Sequence, residues 1–139
     1  MECTIRWSGE GMSFIAETGS NHLIAMDGAP DGGGRNLAPR PMETVLAGAG
    51  GCTAYDVVVI LKKSGQDVTG CEVRLEAERA QTDPKVFTRI HYRFTVRGRN
   101  LKRNVVEQAV RLSHEKYCSA TAILEKTAQI TRDLEIVEG

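Results

Sequence analysis

The sequence predicts an α+β fold, with helices on one face of an antiparallel sheet. Three observations predict it. Short runs of alternating polarity open the chain and return after a long apolar helical segment. The turns between the opening runs are short, which favours antiparallel hairpin pairing. Two further helical segments precede one last alternating run. The expected order is βββ–α–ββ–αα–β, over a single domain spanning residues 1–139.

The first strand is expected over 2–7, with Cys3, Ile5 and Trp7 on one face and Glu2, Thr4 and Arg6 on the other. Ser8-Gly9-Glu10-Gly11 is a turn. Met12, Phe14 and Ala16 mark one face of a second strand over 12–17, and 22–26 is a third. Residues 27–40 carry four glycines and two prolines and read as a mobile connector. Gly32-Gly33-Gly34 lacks the strand–loop–helix setting of a phosphate cradle.

Pro41 opens a long helix expected to reach about Lys63, because its missing N–H costs little in a first turn. Glu43 suits the positive end of the helix dipole. Lys62-Lys63-Ser64-Gly65 suits the other end. From Val45 to Ala54 the segment is almost wholly small or apolar, which predicts a helix buried all round. Gly48, Gly50 and Gly51 each cost roughly 1 kcal/mol relative to alanine, so another backbone is expected to come close.

Beyond it, 68–80 and 86–96 alternate as a hairpin with one wet face. Asn104 is positioned to cap a second helix through about Lys116. Ser119 is positioned to cap a third, through about Lys126. Gln129 to Val137 is the last strand, with Ile130, Leu134 and Ile136 as its apolar members.

Lysine plus arginine and aspartate plus glutamate each number 18, so charge gives no argument for nucleic acid or an anionic membrane. No run is read as approaching the ~20 apolar residues that span a bilayer. The N-terminus lacks a signal-peptide pattern, and a cytoplasmic location is expected. Hydrophobic residues make up 41% of the chain, enough for a core. A domain of this size buries roughly 68% of its unfolded surface, so oligomerisation would help.

The cysteines, Cys3, Cys52, Cys71 and Cys118, form no C-x-x-C pair and no zinc-finger spacing. Cys3 and Cys71 fall in strand patterns and read as core residues. Taken alone, Cys52 in an apolar helix also reads as a small core residue. Cys118 sits between two helices, where a thiol can meet the unpaired N–H groups of a helix N-terminus and be drawn toward thiolate. Spacing alone does not pair them. Glu43 is equally well explained by the helix dipole and by catalysis. His22, His91 and His114 share no metal-ligand spacing with the cysteines, and His114-Glu115-x-x-Cys118 lacks the second histidine of a metalloprotease motif. No metal or cofactor is expected.

Two segments carry a resemblance. Pro41-Met42-Glu43-Thr44-Val45-Leu46-Ala47-Gly48-Ala49-Gly50-Gly51-Cys52 resembles the start of the cysteine-bearing helix in the OsmC/Ohr family. Glu115-Lys116-Tyr117-Cys118-Ser119 resembles that family's second-cysteine region, and the form Gly-Gly-Cys-x-Ala-x-Asp-Val looks like its YhfA-type branch. The resemblance implies an intertwined homodimer with an antiparallel sheet packed on long central helices and active sites at the interface. It implies a thiol peroxidase in which Cys52 attacks an organic hydroperoxide, Cys118 resolves the sulfenic acid as a disulfide, Glu43 belongs to the catalytic set, and an external dithiol is the reductant. Family peroxidases place an arginine at the end of the third strand and glutamate directly after the proline. Here the strand ends in Met26-Asp27 and Met42 follows Pro41, so Arg35 or Arg40 would have to supply the charge. The other reading on the same fold is a non-enzymatic ligand-binding or redox-sensing protein.

Overall fold

The computed structural model describes residues 1–139. Its elements are β1 (Cys3–Trp7), β2 (Phe14–Thr18), β3 (Leu23–Met26), α1 (Pro41–Lys63), β4 (Asp67–Arg79), β5 (Phe87–Arg99), α2 (Arg103–Leu112), α3 (Ser119–Leu124) and β6 (Gln129–Glu138). The α+β class and the element order are those expected. The chain divides into two compact units, residues 1–47 and 48–139, with the division inside α1.

In the first unit β1, β2 and β3 form an antiparallel sheet, with Ile5 opposite Ala16 and Ala16 opposite Ile24. Ala16 is buried, but every residue of β1 is exposed. Cys3 is therefore not a core residue. Alternation fixed its face, and β1 is an edge strand of a three-stranded sheet. The connector after β3 is not shapeless. Pro30–Gly32 form a single 3-10 turn. The buried Asp27 carboxylate accepts N–H groups from Gly28 (2.7 Å), Leu37 (3.1 Å) and Arg35 (3.4 Å). A buried carboxylate must be satisfied, and here the loop wraps to satisfy it. Burial raises the Asp27 pKa, but these N–H donors and the Arg35 charge outweigh burial and hold it below the ordinary aspartate value.

The second unit is built on the sheet β4–β5–β6. β4 pairs with β5 antiparallel, while β6 pairs with β5 in parallel, so the sheet is mixed rather than antiparallel throughout. The α2–α3 crossover supplies the long connection that a parallel neighbour needs. The period-2 pattern sets one face of β5 inward: Ile90, Tyr92, Phe94 and Val96 are buried, and Arg89, Arg93 and Arg97 are exposed. Val106, Ala109 and Val110 of α2 and Val57 and Leu61 of α1 complete the core.

α1 begins and ends where the sequence placed it. Its C-terminus closes with Gln66 N–H on Leu61 C=O and Gly65 N–H on Lys62 C=O. This double bond pattern places Gly65 in the left-handed region, at φ 73°. The expectation of burial all round does not hold in the single chain. Ala49, Gly50, Thr53, Val57 and Leu61 form one buried stripe at helical spacing, whereas Val45 and Tyr55 are exposed. Gly50 is a close-approach glycine, since a Cβ there would lie 2.8 Å from the Leu75 side chain. Gly48 and Gly51 face open space.

α1 does satisfy the length and composition of a membrane span, with mean hydropathy 1.6 over its best window. That corrects the reading that no segment approaches this limit, because a glycine- and alanine-rich core helix passes the same test. Its buried stripe, Ala49 to Leu61, belongs to the core of the second unit, where Thr53 and Asp56 bond Ser113.

Candidate active site

The sulfurs of Cys52 and Cys118 and a carboxylate oxygen of Asp56 all lie within 4.8 Å of one another. Sixty-six positions separate the cysteines in sequence, so the juxtaposition is a product of packing. Cys52 and Asp56 are four residues apart on α1, which stacks them on one face of the helix. Cys118 arrives from the far side of the core, at the junction of α2 and α3. Cys118 is buried, and Cys52 and Asp56 are half-buried.

The junction departs from the expected continuous helix. α2 ends at Leu112, and Ser113–Tyr117 form one wider π-type turn, closed by Cys118 N–H on Ser113 C=O at 2.7 Å. The Ser113 hydroxyl explains the position of this turn. It donates to Asp56 Oδ2 at 3.0 Å and lies 2.7 Å from Thr53 Oγ1. Ser113 has one proton and gives it to Asp56, so Thr53 donates to Ser113. Such widened turns often occur where a helix is bent to serve a site. Asn104 proves not to be the cap of α2. The helix starts at Arg103 after Lys102, whose N–H is held by Gln66 Oε1 at 2.8 Å.

Cys118, not Ser119, is the N-cap of α3. Its Sγ accepts the Thr121 N–H at 3.4 Å and the Thr121 hydroxyl at 3.1 Å. With that proton committed to sulfur, the Tyr92 hydroxyl donates to Thr121 Oγ1 at 3.0 Å. A directed chain, Tyr92 to Thr121 to Cys118, thus ends on the sulfur as acceptor. The expected helix N–H contact is present, but the thiol is not drawn below its ordinary pKa. Burial pushes Cys118 up, the two Thr121 donors pull it back, and neighbouring Cys52 pushes it up again. The net direction is upward. Burial likewise raises Tyr92. No buried side-chain nitrogen or oxygen lacks a partner.

Of the other candidates, Glu43 accepts the Arg40 N–H at 2.9 Å, and the Thr44 hydroxyl donates to Arg40 C=O at 3.2 Å. That is a cap of the α1 N-terminus. Arg35 pairs with Glu10 at 3.2 Å, and Arg40 donates to Asn36 Oδ1 at 2.7 Å. Cys71 is half-buried on β4, and burial raises its pKa. His22 bonds Ser20, His91 bonds Thr131 and Asp133, and His114 lies between Glu125 and Arg132. The sequence reading missed Asp56, Thr53, Ser113, Thr121 and Tyr92. Only Asp56 carried a local signal, its four-residue spacing from Cys52.

Residues 32–132 match the family described as OsmC-like protein, a stretch that includes the whole thiol–carboxylate cluster. The chain is also 49% identical over 137 residues to Protein YhfA of Escherichia coli K12, covering 99% of this chain and 98% of that protein.

The chain belongs to the OsmC-like protein family.

Solved structures agree with this. A hypothetical protein from Aquifex aeolicus VF5 superposes with a TM-score of 0.85 at 28% identity, over 99% of this chain and 96% of that one. An organic hydroperoxide resistance protein OsmC from Legionella pneumophila superposes with a TM-score of 0.69 at 15% identity, over 96% of this chain and 95% of that one. At that identity the second likeness shows the OsmC-like fold alone. The paired thiols fit a redox role within it.

Proposed function

We propose that this OsmC-like protein is a thiol-dependent peroxidase for organic hydroperoxides, with Cys52 peroxidatic and Cys118 resolving. The observation that carries the reading is the meeting of the two sulfurs within 4.8 Å. The Legionella protein of the same fold is an organic hydroperoxide resistance protein, which supports the substrate class.

The chemistry runs in two steps. The Cys52 thiolate attacks the terminal oxygen of ROOH. An S–O bond forms, the O–O bond breaks, and RO⁻ takes a proton and leaves as the alcohol. Cys52 is now a sulfenic acid. Cys118 sulfur attacks Cys52 sulfur, the disulfide forms, and hydroxide leaves with the Cys118 proton as water. Exchange with an external dithiol then restores both thiols. Glu43 enters as a positioning residue, holding the start of the helix that carries Cys52.

A homodimer belongs to this reading. Gly48 and Gly51 face open space, and a groove of about 480 Å³ runs past Gly51, Tyr55 and Val58, which supports a second copy on that face of α1. A cytoplasmic location, with a reducing dithiol at hand, is the setting in which the cycle closes.

The test is consumption of cumene hydroperoxide by reduced protein with a dithiol present. Cys52→Ser abolishes turnover, and Cys118→Ser stops at a trappable sulfenic acid. No consumption by the wild-type chain sinks the proposal. One observation favours a redox-sensing or ligand-binding role instead: a carboxylate, Asp56, lies beside the sulfurs, where an activating cation would speed attack. Oxidation of the pair once per protein, without turnover, together with thermal stabilisation by an apolar ligand, would favour that role.

A further inference from the structure

We infer that Cys52, Asp56 and Cys118 form a binding site for a borderline-soft divalent cation of the zinc class. The inference goes beyond the peroxidase reading. Cation binding needs only the reduced thiol pair and the carboxylate. Its consequence for turnover rests on that reading.

The donor geometry comes first. Tetrahedral zinc binds sulfur at about 2.3 Å and carboxylate oxygen at about 2.1 Å, which sets donors roughly 3.5–4 Å apart. The three donor atoms already lie within 4.8 Å of one another, so side-chain rotation of about an ångström closes the set. Two of them ride one helix face at a four-residue spacing. The third is fixed by the turn that Ser113 anchors.

Charge is the second argument. Two thiolates and a carboxylate would place three negative charges in one half-buried corner. The partner of Asp56 is a neutral hydroxyl, and the donors to Cys118 belong to neutral Thr121. The ion pairs of this unit lie elsewhere, on the outer faces of the sheet and helices. A divalent cation would offset the charge created when the thiols ionise to bind it, and sulfur donors select zinc-like metals over magnesium or calcium.

The surroundings are the third. Metal ligands are normally oriented by outer hydrogen bonds. Asp56 takes the Ser113 hydroxyl, which Thr53 backs at 2.7 Å. Cys118 takes both Thr121 donors, which Tyr92 backs at 3.0 Å. Neither set consumes the donor lone pairs completely. Three protein ligands leave a fourth position for water or an exchanging thiol, as in open zinc sites.

Binding would proceed as M²⁺ plus two thiols and one carboxylate, giving the three-ligand complex and releasing two protons. Oxidation of the pair to the Cys52–Cys118 disulfide removes two ligands and ejects the ion. Conversely, the bound ion holds both sulfurs away from peroxide. Metal occupancy and peroxide reaction therefore exclude each other.

The experiment uses reduced, chelator-treated full-length protein titrated with zinc chloride against a chromophoric chelator, and separately with cobalt(II). The expected result is one ion per chain and a sulfur-to-cobalt charge-transfer band in the near ultraviolet. Asp56→Asn weakens zinc binding at least about tenfold, and Cys52→Ser or Cys118→Ser abolishes tight binding and with it the band. Wild-type protein oxidised to the disulfide is the second arm and loses zinc without any substitution. Binding no tighter than about 100 μM overturns the inference, as does binding that survives in the disulfide form or in Cys52→Ser. Absent peroxide turnover with tight zinc binding sinks the peroxidase reading and leaves this one standing. Turnover without zinc binding does the reverse.

Discussion

Two aspartates organise two regions of this chain, and they do so in opposite ways. Asp27 is sealed in the loop after β3, where three backbone N–H groups converge on its carboxylate. Asp56 stands on α1 with a single hydroxyl donor and two sulfurs within 4.8 Å. A carboxylate has about four lone-pair sites. Asp27 spends them on the backbone and so shapes a loop. Asp56 keeps most of its own, and a half-buried acceptor with spare capacity beside a thiol pair is equipped for chemistry or for a cation. Satisfaction separates the structural acid from the functional one more clearly than burial does.

Asp27→Ala should have the largest effect on folding. It strands three N–H groups inside the loop, and the expected outcome is a lower Tm than for any substitution at Asp56, measured by calorimetry. Asp56→Ala strands only the Ser113 hydroxyl, so its loss of stability should be smaller than that of Asp27→Ala and its change at the thiols large. If the two variants exchange these behaviours, the contrast fails.

Ser113→Ala comes next. Asp56 loses its only donor and Thr53 its acceptor, at a cost of about 1–3 kcal/mol in a denaturant titration. The freed carboxylate should also change the reactivity of Cys52. Thr121→Val strands the Tyr92 hydroxyl and removes the side-chain donor to Cys118, again costing about 1–3 kcal/mol. Tyr92→Phe removes only the outermost link and should cost about 1 kcal/mol.

Much of this contrast was invisible in the linear sequence. The limits of α1 were legible because Pro41 and Gly65 mark a helix by their own backbone chemistry. Cys52 and Cys118 were legible as a pair only through the family resemblance, since their spacing carries no information. The start of α2 was misplaced because Gln66, a distant side chain, holds the Lys102 N–H, and no local pattern encodes that bond. The parallel setting of β6 was hidden for a similar reason: alternation records which face is apolar and not the direction of the neighbour. Cys3 looked like core because parity does not report what covers a strand. The Ser113–Asp56 bond at the start of the π-type turn joins residues 57 positions apart.

The pH behaviour sharpens the account further. Cys118 has its pKa raised in the fold, so its neutral form is favoured there. The associated stability is complete below the ordinary thiol pKa and is lost as pH rises through the higher folded value. In Cys52→Ser, alkylation of Cys118 by iodoacetamide should reach half its maximum rate above the ordinary thiol pH. Adding Thr121→Val should move that midpoint higher, because it removes the hydroxyl donor that favours the thiolate. A downward move would mean that the Thr121 hydroxyl does not serve as donor to the sulfur.

The most direct test of the central claim is a peptide map of reduced protein after one equivalent of cumene hydroperoxide, alkylated under denaturing conditions. The account predicts a single Cys52–Cys118 disulfide, with Cys3 and Cys71 recovered as alkylated thiols. Recovery of both Cys52 and Cys118 as alkylated thiols, or a disulfide through Cys3 or Cys71, would contradict it.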